Sequence, residues 1–219
     1  ALRSFFSAGG SISKEFAPSA VKAGAVVVDN TSAFRMKEGI PLVVPEVNPS
    51  MIHKHNGLIA NPNCSTIIMN VPVWPLHQSN RVKRIIVSTY QAVSGAGAWG
   101  LEELDRQIKA YAAGQPIEKV KFPHQIVNNL FSHNSAIGEN GYNEEEQKMV
   151  NETRKIFADP KIAVTATCVR VPVPRAHCES INIEFEHSIT VDEVRQILSK
   201  APGVKIVDDP KTNTFPMPI

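Results

Sequence analysis

The spacing of apolar and polar residues along the chain predicts alternating strands and helices. Short apolar runs bounded by turn residues are typical of buried strands, and apolar or amphipathic segments closed by glycine or proline are typical of helices. The predicted strands are residues 2–6, 25–29, 42–48, 57–61, 84–90, 162–171, 179–186 and 204–207. The predicted helices are residues 14–23, 64–71, 99–113, 144–157 and 190–200.

Several helix boundaries carry their own signals. Pro72 and Pro75 are expected to break the second helix, because proline removes a backbone donor inside a helix. Asn143 can cap the helix of residues 144–157, which has acidic residues in its first turn and basic residues in its last, and thus matches the helix dipole at both ends. Thr190 or Asp192 opens the last helix.

The order of these elements predicts two parts. Strands alternate with helices up to about residue 60, and longer strands that look antiparallel follow with further helices. We therefore expect an α/β, nucleotide-binding part over residues 1–62 and an α+β part over residues 63–219.

Composition narrows the class of protein. The chain has 219 residues, 42% of them hydrophobic, and a formal net charge of +2, which supports a globular core and gives no global argument for nucleic acid or membrane partners. Three cysteines without metal-ligand spacing argue against a disulfide framework or a zinc site and favour a reducing compartment. No apolar stretch is long enough to span a bilayer.

The first residues lack the pattern of a secretion signal and begin directly on a predicted strand. We therefore expect a chain that starts inside a domain.

Cys64 is the candidate nucleophile. Asn61 and Pro62 form a turn before it and a run of small and apolar residues follows, so the thiol falls near a helix N-terminus. The unpaired N–H groups and the positive end of the dipole there stabilise a thiolate and could hold an oxyanion. The alternative, a small buried hydrophobic residue, is equally compatible with the local sequence.

Two loops at the ends of predicted strands are candidate ligand-binding segments. Residues 7–11 (SAGGS) let a ligand approach the backbone closely, and residues 29–32 follow the next strand. Ser11 or Ser13 could cap the helix after the first loop. Both loops could also be ordinary turns, because the chain has no G-x-G-x-x-G pattern. Arg35, just beyond the second loop, could clamp a phosphate or carboxylate.

Three separated motifs carry a family resemblance. The chain resembles aspartate-β-semialdehyde dehydrogenases at residues 61–66 (NPNCST), 88–97 (STYQAVSGAG) and 170–177 (RVPVPRAH). The order of the three motifs makes this signal more specific than any one of them. The resemblance implies a Rossmann-like NADP-binding domain followed by a catalytic and dimerisation domain like that of glyceraldehyde-3-phosphate dehydrogenase.

The resemblance also implies an activity. The family interconverts β-aspartyl phosphate and aspartate β-semialdehyde plus phosphate with NADP(H), on the route to lysine, threonine, methionine and isoleucine. It implies a homodimer or homotetramer in the cytoplasm, or in the plastid stroma of a plant or alga, with no nucleic acid, membrane or metal involved.

Roles for individual residues follow from their positions in the motifs. The resemblance implies that Cys64 forms a thioacyl-enzyme, that His177 is the acid/base and that Gln91 orients the thioacyl group. An acyl phosphate needs such a nucleophile, because the resulting thioester accepts hydride more readily than a carboxylate.

Further matches are implied to bind ligands. Arg170 would grip the substrate carboxylate and Glu145 the substrate amine, while Lys148, Arg35 and Asn63 would hold phosphate. Glu145 and Lys148 lie three residues apart, so they can point to one side of a helix. The implied cofactor-binding residues are Ser7, Ala8, Gly9, Ser94 and Gly95.

Other interpretations stay open. Members of the family begin with an additional strand and glycine-rich loop and end with a long helix, so we expect this chain to be an internal portion of a longer enzyme. An N-acetyl-γ-glutamyl-phosphate reductase also pairs a cysteine with a histidine. A non-catalytic fragment or interaction subunit that keeps the fold is the third possibility.

Overall fold

A three-stranded parallel sheet begins the fold in the computed structural model, which describes residues 2–218. Strand β1 (Arg3–Phe6) pairs with β2 (Val26–Asp29), and helix α1 (Gly10–Lys22) crosses between them. Strand β3 (Leu58–Ala60) pairs with the other edge of β2. This is the predicted strand–helix–strand arrangement, and its core is formed by Ala17, Val27, Phe34 and Leu58.

Helix α2 (Cys64–Ser79) follows β3 and lies beside the short helix α5 (Val191–Leu198). Its Met69, Val73 and Leu76 side chains are buried. Thr190 caps α5 in a capping box with Glu193, so the first of the two predicted cap residues is the one used.

A second sheet has four strands in the order β5-β6-β4-β7. Its strands are β4 (Val82–Gln91), β5 (Phe131–Ser132), β6 (Ala163–Arg170) and β7 (Cys178–Phe185). The accompanying helices are α3 (Ala98–Ala112) and α4 (Glu144–Phe157).

Two polar side chains of α3 organise residues 120–127, which have no regular secondary structure. The buried Glu103 carboxylate accepts hydrogen bonds from the backbone N–H groups of residues 120, 121 and 122. The Gln107 side-chain oxygen accepts those of Ile126 and Val127. Phe122 and Ile126 consequently reach the core with Val93 and Leu104.

The chain divides into two compact units. One comprises the chain through Arg84 together with Lys148–Ala163 and Glu184–Ile206. The other comprises Ile85–Gln147, Val164–Ile183 and the residues from Val207 on. The domain boundary between residues 62 and 63 stays a prediction.

Three expectations about secondary structure are wrong. Helix α2 continues through Pro72 and Pro75 to Ser79, because the burial of its apolar side outweighs the lost backbone hydrogen bonds. Residues 42–48 contribute one bridge, Leu42 to Ala60, and then turn. Residues 204–207 lie outside every strand ladder that the structure describes.

None of the helices within residues 2–218 has the length and hydrophobicity needed to cross a bilayer.

Gly100 of α3 lies where a side chain does not fit. A Cβ at this position would come within 2.5 Å of the Val93 carbonyl oxygen and 3.1 Å of the Ala96 Cβ. We expect Gly100→Ala to lower the free energy of unfolding by about 1–3 kcal/mol, measured by urea denaturation, because backbone cannot move aside cheaply. Gly10→Ala is the control, since its Cβ would meet only the Ala33 Cβ at 3.9 Å. Equal stability of the two variants would contradict this packing.

Glu179 of β7 gives the protein a pH-dependent stability. Both of its carboxylate oxygens are buried without a hydrogen-bond partner among the described residues, and burial raises the pKa of this carboxyl from 4.5 to about 8. The native state therefore keeps a proton that the unfolded chain loses above pH 4.5. The stabilisation from this group is complete below pH 4.5 and is lost as the pH rises through 8.

We expect Glu179→Gln to remove a slope of up to about 1.4 kcal/mol per pH unit from the free energy of unfolding in this interval. Urea denaturation at pH 5, 6, 7 and 8 measures it. Glu186→Gln, at an exposed position, should leave the slope of the parent protein unchanged. If the free energy of unfolding has the same pH dependence in the parent and in Glu179→Gln, the pKa of Glu179 is not raised in the native state.

Candidate functional site

The thiol of Cys64 lies at the first residue of α2, as predicted, and is exposed. Asn63 caps the helix: its side-chain oxygen accepts hydrogen bonds from the N–H groups of Ser65, at 3.0 Å, and Thr66, at 3.2 Å. The cap fixes the first turn, so the sulfur is held at the positive end of the helix dipole. A thiol in this place is suited to nucleophilic attack rather than to core packing.

A buried carboxylate joins the cap of α2 to Arg35. Glu152 of α4 accepts the backbone N–H of Asn63 at 2.7 Å with one oxygen, and Arg35 Nη1 at 3.2 Å with the other. Burial raises the pKa of the Glu152 carboxyl, and the Arg35 guanidinium and the Asn63 N–H oppose that shift. Glu152 was not among the sequence-predicted site residues.

Arg35 is held from several directions. Its Nε donates to the Asn61 carbonyl and its Nη2 to the Asn30 carbonyl, both at 2.9 Å. Lys155, one turn beyond Glu152 on α4, donates to the Arg35 carbonyl at 2.6 Å. Nη1 and Nη2 each carry a second N–H, so the fixed guanidinium retains donors for an anion. Lys148, half-buried, lies one turn before Glu152 on the same helix.

In the second compact unit, Gln91 lies in a buried polar chain. Its side-chain amide donates to Glu145 at 3.1 Å, and its oxygen accepts the Thr89 hydroxyl at 3.0 Å. Gln91 and Glu145 are 1% and 4% exposed, respectively, so these hydrogen bonds fix both groups.

The backbone of Ala92 orients both His177 and Arg170. Its N–H donates to His177 Nδ1 at 3.0 Å, and its carbonyl accepts Arg170 Nη1 at 2.8 Å. Burial and the neighbouring Arg170 lower the pKa of the His177 imidazole, and Glu145 opposes that shift. The neutral ring with Nδ1 as acceptor carries its proton on Nε2.

Gly95 explains how these two side chains come so close to a turn. A Cβ on Gly95 would lie 3.1 Å from His177 Nε2 and 3.4 Å from Arg170 Nη1. The short 3₁₀ turn Val93–Ala96 that contains Ser94 and Gly95 therefore packs directly against the imidazole and the guanidinium. The structure thus brings together four predicted site residues: Gln91, Glu145, Arg170 and His177.

The loop of Ser7, Ala8 and Gly9 lies between the carboxyl end of β1 and the start of α1. Gly9 has φ 107° with open space where a Cβ would be, so this loop can admit the close approach of a dinucleotide phosphate. Asn30, after β2, donates to the Ser7 hydroxyl at 3.2 Å, which joins the two predicted loops at one edge of the sheet.

Neither predicted serine caps α1. Gly9 occupies the N-cap position, and the Ser13 hydroxyl instead donates to the buried Asp29 carboxylate at 2.7 Å. Asp29 also accepts the backbone N–H and the hydroxyl of Thr31. This carboxylate therefore supports the loop after β2.

Sequence reasoning missed Glu152 and Ala92. Glu152 continues the spacing of Glu145 and Lys148 along α4 by four more residues, a helical signal that could have identified it. Ala92 acts through its backbone, so its side chain gave no signal.

Two family descriptions match the chain. The semialdehyde dehydrogenase NAD-binding domain matches residues 3–55, and the semialdehyde dehydrogenase dimerisation domain matches residues 73–219.

Similar proteins give the same result. The aspartate-semialdehyde dehydrogenases of Synechocystis sp. and Aquifex aeolicus are each 54% identical, over 97% and 98% of this chain and 63% and 64% of their own lengths. The crystal structure of aspartate semialdehyde dehydrogenase II from Vibrio cholerae, complexed with ASA, has a TM-score of 0.91 at 46% identity. That likeness covers 92% of this chain and 61% of the Vibrio chain.

The chain spans slightly less than two thirds of the length of these relatives. The predicted fold class, a Rossmann-like α/β part followed by an α+β dimerisation part, is confirmed, and so is the family resemblance. The chain belongs to the semialdehyde dehydrogenase family.

Proposed function

We propose that the full-length protein interconverts aspartate β-semialdehyde plus phosphate and β-aspartyl phosphate with NADP(H), in the biosynthesis of lysine, threonine, methionine and isoleucine. The observation that supports it best is an exposed Cys64 thiol at a capped helix N-terminus, whose cap residue is joined through Glu152 to Arg35. A thiol nucleophile whose helix cap is joined to a fixed cation suits a reaction that takes up or expels phosphate.

Cys64 carries the covalent step. In the direction of reduction, its thiolate attacks the acyl carbon, a C–S bond forms, and the bond from carbon to the phosphate oxygen breaks. The negative charge of the departing phosphate is stabilised by Arg35, Asn63 and Lys148. After reduction the C–S bond breaks again, which releases the aldehyde and restores the thiolate.

His177 is the proton donor and acceptor of the proposed reaction. Its Nε2 carries the proton in the neutral ring, because Nδ1 accepts the Ala92 N–H. The lowered pKa of His177 keeps the ring neutral near pH 7 and makes an imidazolium, once formed, ready to give up its proton.

The remaining predicted residues bind and orient the substrate in this proposal. Arg170 forms an ion pair with the substrate carboxylate, Glu145 accepts from the substrate amine, and Gln91 orients the thioacyl group. The Ala92 carbonyl and the Gln91 amide already hold Arg170 and Glu145 in place, so little side-chain entropy is lost when substrate binds.

The nucleotide-binding part of the family fits a nicotinamide cofactor, which supplies or accepts hydride when it is bound. Ser7, Ala8 and Gly9 would approach its phosphates, and Ser94 and Gly95 would contact it from the 3₁₀ turn. The open space at Gly9 supports this assignment. NADP in preference to NAD is part of the proposal.

Substitution of Cys64 tests the activity. We expect Cys64→Ala to lower the rate of NADP⁺ reduction with aspartate β-semialdehyde and phosphate at least about 1,000-fold, because no thioacyl group can form. Absorbance at the wavelength of the reduced nicotinamide follows the rate. Cys168→Ala is the control: burial raises the pKa of the Cys168 thiol to about 12, so it is no nucleophile at neutral pH.

Near-normal activity of Cys64→Ala would reject the role of Cys64. If the parent protein instead prefers N-acetylglutamate γ-semialdehyde, the proposed substrate is wrong.

We also propose that the full-length protein is a homodimer or a homotetramer, as the dimerisation domain suggests. Strand β4 exposes Ile86 and Tyr90, which are 37% and 46% exposed, on one side of the second sheet. An apolar sheet surface of this kind suits contact with a second copy.

A charge at Ile86 should disrupt that association. We expect the parent protein to have at least twice the mass of one chain in light scattering, and Ile86→Arg to shift it toward the monomer, because an unpaired charge is costly inside an interface. Ile108→Arg, on α3 with 46% of Ile108 exposed, is the control. A monomeric parent, or an unchanged Ile86→Arg variant, would exclude this interface.

A further inference from the structure

Glu152 contacts two of the three residues expected to hold phosphate, although it lies outside all of the motifs that carry the family resemblance. One carboxylate oxygen accepts from Arg35 and the other from the backbone of Asn63. Lys148, the third of these residues, lies one turn earlier on the same helix.

The contact with Arg35 completes a rigid support for the guanidinium. The guanidinium donates from Nε to the Asn61 carbonyl, from Nη2 to the Asn30 carbonyl and from Nη1 to the Glu152 carboxylate. Three of its five N–H groups are therefore hydrogen-bonded within the protein. The side chain of Arg35 is 9% exposed and that of Glu152 1%, so the pair is largely shielded from solvent. The direction of the two remaining donors is therefore fixed before an anion arrives.

The contact with Asn63 acts on the other side of the same carboxylate. The Asn63 N–H precedes the nucleophile by one residue, and the Asn63 side chain caps the helix that Cys64 begins. A short charge-assisted hydrogen bond of 2.7 Å fixes this peptide group. One carboxylate thus sets the placement of Arg35 relative to the start of α2.

We propose that Glu152 is a positioning residue of the phosphate subsite, which holds Arg35 and Asn63 in a fixed geometry beside Cys64. The Glu152 side chain is 1% exposed and both of its oxygens are used by Arg35 and Asn63, so it acts through these two residues rather than by touching phosphate. The inference rests on the proposed function and assigns to that site a residue that controls its affinity for phosphate.

The experiment is a kinetic comparison of Glu152→Gln with the full-length parent protein. Glutamine has nearly the same shape, but its amide offers one acceptor where the carboxylate offers two, so it must place an NH₂ group against either Arg35 or Asn63. We expect the KM for phosphate to rise about 10- to 100-fold, as for the loss of a hydrogen bond to a charged group. The KM for aspartate β-semialdehyde should change less than about threefold.

Glu144→Gln is the matched control, because it makes the same change at an exposed position in the first turn of α4. It should leave both KM values near those of the parent. A role of Glu152 in stability alone would lower the melting temperature or kcat without a selective rise in the KM for phosphate. That result, or equal behaviour of the two variants, would overturn the inference.

A double-mutant cycle tests whether Glu152 acts through Arg35. Arg35→Lys should itself raise the KM for phosphate. In that variant, a further Glu152→Gln substitution should raise the KM for phosphate much less than it does in the parent, because the guanidinium that Glu152 holds is already absent. If the increase in the KM for phosphate in the double variant equals the product of the two single increases, the inference is contradicted. If Glu152→Gln does not fold, Glu152→Asp takes its place with the same expected selectivity, because its shorter side chain cannot reach both partners.

The parent protein separates the two hypotheses. Absence of phosphate-dependent NADP⁺ reduction in the parent would reject the proposed function. Activity in the parent with an unchanged KM for phosphate in the Glu152 variant would reject only the role of Glu152.

Discussion

The carboxyl group of Glu152 is 1% exposed and hydrogen-bonded through both oxygens, and these contacts organise the first compact unit. Its partners come from the loop after β2 and from the residue that caps α2. Arg35 in turn holds the carbonyls of Asn30 and Asn61, at the ends of β2 and β3. The carboxyl edge of the parallel sheet, the start of the Cys64 helix and α4 therefore share one network of polar contacts.

Such a network fixes the positions of its side chains more than it raises the free energy of unfolding. The attraction between buried charges largely offsets their desolvation, whereas removal of one partner leaves the other charge uncompensated. Arg35 and Asn63 are consequently held at defined places at little net gain in free energy. In the proposed reaction a doubly charged phosphate arrives next to a thiolate, and groups that are fixed beforehand favour such a step.

The second compact unit uses the same physical rule with backbone groups. The N–H and the carbonyl of Ala92 satisfy His177 and Arg170, and the residues on either side of Ala92 are themselves paired with the segment that leads to His177. Glu103 and Gln107 satisfy the N–H groups of a segment without regular secondary structure. In both places a buried polar side chain specifies the path of a neighbouring chain segment.

Local sequence signals predicted the helices whose first residues are preceded by a capping side chain. Helix α4 begins after Asn143, whose side chain accepts the Glu146 N–H, and α2 begins at Cys64 after an asparagine cap. The prediction was wrong where contacts distant in sequence outweigh local preference. The prolines of α2 are tolerated because that helix is packed on its apolar side. Residues 204–207 form no strand because no other strand in the described part of the chain pairs with them.

The sequence by itself determined that an α/β part is followed by an α+β part and that Cys64 lies at the start of a helix, and its motifs contain the residue types that the proposed acyl phosphate chemistry needs. These depend on periodicity, turn residues and short motifs, which are local. Only the tertiary structure decided that Glu152 joins Arg35 to Asn63 across 117 and 89 positions of the chain, and that the Ala92 backbone holds His177 across 85. The reason is that partners of buried polar groups are chosen by packing, which brings together residues that no local pattern relates.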